Sequence, residues 1–163
     1  MRQPRPARRR VLLGASALFV APGLALAGEG DYVRDPARRI TAAQWRERLP
    51  RLSYEVLRRE GTERAFTSPL NDEHRAGTFD CLGCGLPLFL SAWKFDSGTG
   101  WPSFWQVNRA HIGTKRDFAI GIPRTEYHCA RCLGHQGHVF EDGPRPTGLR
   151  YCNNGAALRF RPG

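Results

Sequence analysis

The chain has no internal repeat beyond a doubled cysteine pair, no low-complexity tract, and no alternation of strand and helix signals. The first two absences, with 40% apolar and 25% charged residues over 163 positions, exclude fibrous, collagen-like and fully disordered chains and leave one domain with its own core. The third argues against a βαβ thiol-disulfide oxidoreductase built on a Cys-x-x-Cys pair. Lysine is nearly missing, with only Lys94 and Lys115, so the formal charge of +10 is an arginine property. Arg2, Arg5, Arg8, Arg9 and Arg10 carry half of that excess in the first ten residues. The other basic residues are scattered rather than clustered, which is weak ground for a nucleic-acid partner.

What is present begins with an address. Arg8-Arg9-Arg10 precedes an uncharged run from Val11 to Ala27 that ends Ala25-Leu26-Ala27. A basic start, an apolar middle and a small-x-small exit have the layout of a bacterial secretory signal, and the arginine cluster resembles a twin-arginine export signal. Residues 1–27 are therefore expected to be an export signal and the protein periplasmic, without stable membrane contact once cleaved. A short uncleaved anchor is the alternative, although Pro22-Gly23 interrupts the run.

Residues 28–40 show no apolar period and read as a flexible lead to a domain over 41–163. Thr41-Ala42-Ala43-Gln44 has the form of a capping box, followed by a helix from Ala42 to Leu49 that Pro50 stops. A second helix is expected from Ser53 to Glu60, with Gly61 as its left-handed terminus. From Ala65 onward the segments are short, aromatic or β-branched and divided by Gly, Pro, Asn and Asp, the pattern of a mostly antiparallel β domain. The expected strands are 78–80, 88–90, 118–120, 126–129, 138–140, 149–153 and 157–160.

The five cysteines divide four and one. Cys81-Leu82-Gly83-Cys84 and Cys129-Ala130-Arg131-Cys132 can bring four thiolates around one tetrahedral ion, and four soft sulfurs suit a structural zinc. Gly85 and Gly134 allow the tight turns that this requires. Two disulfides or two redox-active dithiols are the alternatives in an oxidising compartment. Cys152 is left over, either a buried small apolar residue or a reactive thiol. Arg150, two positions away on an expected strand, shares its face and would lower its pKa. Asn154 could donate beside the sulfur, and Asn154-Gly155 is also a hairpin signal. His135 and His138 could supply a proton donor and a second polar contact, with Asp142 orienting one ring.

A longer set of segments surrounds these residues: Gly61-Thr62-Glu63, Cys81-x-x-Cys84-Gly85, 94–98, Gly100-Trp101-Pro102-Ser103-Phe104, Arg124-Thr125-Glu126, Cys129-x-x-Cys132, 134–140, 142–144, 146–148 and Arg150-Tyr151-Cys152. In this order, over Leu52 to Phe160, the chain resembles the peptide-methionine (R)-S-oxide reductases, the B class of methionine sulfoxide reductase. The resemblance implies a mainly β fold of two antiparallel sheets with short N-terminal helices, a four-cysteine zinc, and Cys152 as nucleophile. It further implies that Trp101 and Phe104 wall the substrate methyl group. His135, His138 and Asn154 would hold the departing oxygen, with Asp142 and Arg150 organising the polar surroundings. The chain departs from the pattern at Thr99, where many members have a recycling cysteine. Gln136, Asn153 and Gly155 are departures beside the site. Without a recycling cysteine, the sulfenic acid of Cys152 would be cleared by an external thioredoxin-like protein or small thiol. Beyond Met1 the chain has no methionine, so it cannot be its own substrate. The rival readings are a zinc-ribbon-like binding module and a reductase-like chain without activity.

Overall fold

The computed structural model describes residues 28–163; the expected export signal lies outside the described residues. Helix α1 (Ala42–Arg48) starts at the capping box, where the Thr41 hydroxyl accepts from the Gln44 amide and the Gln44 side chain accepts from the Thr41 amide. Helix α2 (Arg51–Arg59) begins two residues before the expected start and buries Tyr54, Val56 and Leu57. Its left-handed terminus is Glu60, at φ 57°, and not Gly61. A Cβ on Gly61 would lie 3.1 Å from the Glu55 carbonyl oxygen, so glycine there serves the close return of the backbone.

Nine strands follow: β1 (Gly77–Cys81), β2 (Pro87–Leu90), β3 (Lys94–Phe95), β4 (Ser103–Phe104), β5 (Ile112–Asp117), β6 (Arg124–Cys129), β7 (His135–Phe140), β8 (Arg150–Asn153) and β9 (Leu158–Pro162). They form two antiparallel sheets, ordered β2-β1-β9 and β3-β4-β8-β7-β6-β5. Between the sheets lies an aromatic core, in which Phe89 stacks on Phe104 at 4.0 Å between ring centroids and Phe79 meets Phe104 edge-on at 5.0 Å. Tyr127 and Tyr151 complete it. Burying such rings contributes both area and oriented ring contacts.

Two expectations about local structure change here. Residues 118–120 are not a strand: β5 ends at Asp117, and Phe118 and Ile120 stand about 60% exposed in the loop that follows. The strand is instead the polar Ile112–Asp117 segment, whose Lys115 and Arg116 suit an unpaired sheet edge. Residues 28–40 are not a free lead either. They form 3₁₀ turns at Glu29–Tyr32 and Pro36–Arg39. Tyr32, Ala37 and Ile40 pack on the core, and Arg38 donates to the Ala130 carbonyl at 2.7 Å.

Candidate active site and metal centre

Strand alternation explains which side chains meet. Across the large sheet, Lys115 pairs with Glu126, Glu126 with His138, His138 with Cys152, and Cys152 with Ser103. Side chains that pair directly share a face, so this row lies on the side of the sheet away from the aromatic core. Phe104, one residue on, points the other way. It is fully buried against Phe89, so it is not a wall beside Cys152. A one-residue step in a strand is enough to exchange a site residue for a core residue.

Cys152 lines a cavity of about 110 Å³ with Thr62, Trp101, Arg124, His138, Phe140, Asn153 and Asn154. The aromatic walls are thus Trp101 and Phe140. The Trp101 indole donates to the Glu63 carbonyl at 3.1 Å, which fixes the ring. Phe140 carries the Arg150 guanidinium at 4.3 Å from its ring centroid.

The charged partners differ from the sequence expectation. Asp142 orients no histidine; it receives Arg150 through two hydrogen bonds of 2.8 Å. Glu126 and Asp117 hold the rings instead: Glu126 Oε1 lies 2.7 Å from His135 Nδ1, and Asp117 Oδ2 lies 2.7 Å from His138 Nε2. Ordinary alternation would put residues three apart on opposite faces. An irregularity in the β6–β7 register, where His128 pairs with His135 and Tyr127 with Gly137, brings both rings together at 5.5 Å. Even so, His135 does not line the cavity.

Burial pushes the Cys152 thiol above its ordinary range, and this outweighs Arg150 and the Thr99 hydroxyl, which both favour the thiolate. The expected net lowering by Arg150 is therefore reversed, because removing a thiolate from water costs more here than one shared guanidinium returns. Arg150 is already committed to Asp142. Burial likewise lowers the His138 pKa, against the opposing pull of Asp117.

Asn154 is a strut. Its side-chain amide donates to the Gln136 carbonyl at 3.0 Å and its carbonyl accepts the Glu63 amide at 3.0 Å. Glu63 is itself buried and accepts the Gly155 and Ala156 amides. Gly155 opens a 3₁₀ turn that leads from one sheet to the other, rather than a hairpin. Glu63, Asp117, Arg124, Glu126 and Phe140 had no assigned role in the sequence. Glu63, Arg124, Glu126 and Phe140 lay inside the quoted segments, whereas Asp117 carried no signal.

The four remaining cysteines converge at two turns. Cys81–Cys84 close the β1–β2 turn, where Gly85 has φ 71°. Cys129–Cys132 close the β6–β7 turn, where the positive φ belongs to Leu133, at 59°, and not to Gly134. Glycine at 134 instead clears Leu57, whose Cδ2 would be 2.8 Å from a Cβ. The four Sγ atoms lie within 4.8 Å of one another, with pairs at 3.5 and 3.6 Å, and all cysteines are free. A tetrahedral zinc with bonds of about 2.3 Å would set its sulfurs about 3.8 Å apart, so this donor set fits that ion. Gln136 touches the same cluster, its side-chain amide 3.4 Å from Cys81 Sγ.

A two-sheet β domain pinned by one cysteine cluster, with a separate cysteine facing an imidazole in an aromatic cavity, is the layout of a thiol-based oxidoreductase. Residues 49–162 match the SelR domain. Similar proteins include the peptide methionine sulfoxide reductase MsrB of Bradyrhizobium diazoefficiens, 55% identical over 73% of this chain and 86% of that protein. The MsrB of Thiobacillus denitrificans is 54% identical over 75% of this chain and 93% of its own length. The chloroplastic peptide methionine sulfoxide reductase B1 of Oryza sativa is 49% identical over 75% of this chain and 58% of that protein. The chain belongs to the SelR, or MsrB, family of peptide methionine sulfoxide reductases.

Proposed function

We propose that this protein reduces the R form of methionine sulfoxide in proteins or peptides to methionine, with Cys152 as nucleophile. The observation that carries the reading is the Cys152–His138 pair, set across β7 and β8 in a cavity walled by Trp101 and Phe140. A sulfoxide side chain needs an apolar wall for its methyl group, a nucleophile for sulfur and a proton source for oxygen, and this cavity has each.

The sulfur of Cys152 attacks the sulfoxide sulfur and forms an S–S bond, while the S=O bond breaks and the oxygen, taking the thiol's proton and a second one, leaves as water. A water then attacks the Cys152 sulfur, the S–S bond breaks, and the substrate sulfur leaves as the thioether with both electrons of that bond. Cys152 is thereby oxidised by two electrons to a sulfenic acid, so one thiol and one sulfoxide give one sulfenic acid and one methionine. His138 supplies a proton to the oxygen as it departs, and Arg150, held by Asp142, favours the thiolate from below. His135 and Asn154 shape the polar side of the site through Glu126 and Gln136.

Thr99, whose hydroxyl favours the Cys152 thiolate, occupies the position of the recycling cysteine that many family members carry. The sulfenic acid therefore meets an external thiol: the first sulfur releases water and forms a mixed disulfide, and a second thiol frees Cys152. A thioredoxin-like protein or a small thiol fills this role. Cys81, Cys84, Cys129 and Cys132 would hold a zinc ion, whose contribution is to fasten the two sheets at their turns. The layout of residues 1–27 supports export to a bacterial periplasm ahead of a domain over 41–163.

Turnover of separated R and S sulfoxide peptides by the protein, with dithiothreitol as reductant, tests the reading. Consumption of the R form alone is expected, and consumption of the S form alone or of neither overturns it.

A further inference from the structure

His138 is the titratable ring facing Cys152, and its environment decides which nitrogen can work. Asp117, the last residue of β5, approaches it from two strands away. Asp117 Oδ2 is 2.7 Å from His138 Nε2 and 2.5 Å from an Arg124 terminal nitrogen, while Oδ1 accepts the Ala119 amide at 2.8 Å. The Ala119 amide, the largest cause, and the Arg124 guanidinium can only donate, and they hold the carboxylate ionised, well below the usual carboxylate range. An ionised carboxylate accepts only, so the nitrogen beside it must carry hydrogen.

We infer that Asp117 is a positioning residue for the reaction: it fixes His138 with hydrogen on Nε2, making Nδ1 the nitrogen that carries the proton to the departing sulfoxide oxygen. This rests on the methionine sulfoxide reductase reading. In the resting ring Nδ1 is a lone pair. It takes one proton from solvent, gives it to the oxygen while the sulfur of Cys152 attacks, and returns neutral. Asp117 stabilises the transient imidazolium, offsetting the burial that disfavours it.

The charged and titratable groups around the ring are Asp117 on β5, Arg124 and Glu126 on β6, His135 on β7, and Cys152 and Arg150 on β8. Of these only Asp117 contacts a His138 ring nitrogen among the described residues. Glu126 is occupied by His128 and His135, and Arg150 by Asp142.

Two measurements decide the matter. Nitrogen-15 NMR of the unmodified protein should show the Nε2–H tautomer of His138 at neutral pH; a resting Nδ1–H tautomer overturns the proposal. Single-turnover methionine formation without reductant should fall roughly 100-fold in Asp117→Asn and Asp117→Ala, with KM changed less than about twofold. Asp117→Glu should recover part of the loss. A rate within about twofold of the parent in both Asn and Ala variants overturns it as well. If the parent protein turns over no sulfoxide, the functional reading fails, and the tautomer still decides whether Asp117 sets the ring.

Discussion

The two cysteine regions of this protein use one side chain for opposite ends. At the cluster, four thiols sit at the corners of two turns, from different sheets, and face one another, with the Gln136 side-chain amide beside Cys81. At the cavity, Cys152 sits in the middle of a strand, half-buried, with an imidazole across from it and a guanidinium and a hydroxyl beside it. Turns can aim several sulfurs at one point, which suits a metal and withdraws them from other chemistry. A strand fixes one sulfur in a row of side chains, where its neighbours decide its protonation. The lesson is that position within an element, as much as residue type, separates a clustered thiol from one whose protonation its neighbours tune.

The sharpest test of this contrast is to remove one thiol from each region. Cys152→Ser should abolish methionine formation, a loss of about 10⁴-fold or more, while leaving the melting temperature and metal content near those of the parent. Cys81→Ser should do the reverse in kind: metal analysis should find the ion lost and the cooperative thermal transition destroyed, with activity falling only because the fold fails. Retained zinc and stability in Cys81→Ser would break the division between the regions.

Smaller effects probe what holds each region. Arg150→Ala removes both the Asp142 bridge and the cation nearest Cys152, so the thiol pKa should rise further. Alkylation by iodoacetamide at pH 7 should slow about tenfold for each unit of that rise. In the parent the same assay should accelerate through pH 9, because burial already places the thiol above its ordinary value. Glu63→Gln weakens the clamp on the Gly155 and Ala156 amides and should cost about 1–3 kcal/mol by chemical denaturation.

Acid should act through Glu126. Burial raises its pKa, but the hydrogen bonds from His128 and His135 prevail and hold it to about 2, below its ordinary 4.5. A depressed acid stabilises the fold above its unfolded value and loses that contribution as pH falls through the folded one. The Glu126 contribution should therefore fade between about pH 4.5 and 2, and Glu126→Gln should flatten the pH dependence of the melting temperature in that window. The smallest expected effect joins the two regions. Gln136→Leu removes the N–H donor to Cys81 while its backbone still holds Asn154. Stability should change by about 1 kcal/mol, and activity should stay close to that of the parent.

Much of this was legible in the residues. The doubled Cys-x-x-Cys pair, the capping box at Thr41 and Gln44, and the short segments divided by turn residues announced a small β domain with a four-cysteine cluster, because each rests on local spacing. The ordered motifs around Cys152 pointed to the family. The misreadings at the site itself share a cause. Whether Phe104 or Ser103 faces Cys152, whether Asp142 or Asp117 holds a histidine, and whether His135 and His138 share a face all depend on strand register and one irregularity between β6 and β7. The edge strand at 112–117 escaped notice because a solvent-facing edge needs no apolar alternation.

By itself, then, the sequence determined which chemical groups the protein has and which belong to one local turn: the paired thiols, the lone Cys152, and the aromatic and imidazole side chains near it. Only the tertiary structure decided who faces whom, and with it the sign of the Cys152 pKa shift. The reason is physical. A thiol two residues from an arginine gains a fixed neighbour from the chain, but the water it loses, and the carboxylate that claims the arginine first, are set by the packing of the sheets.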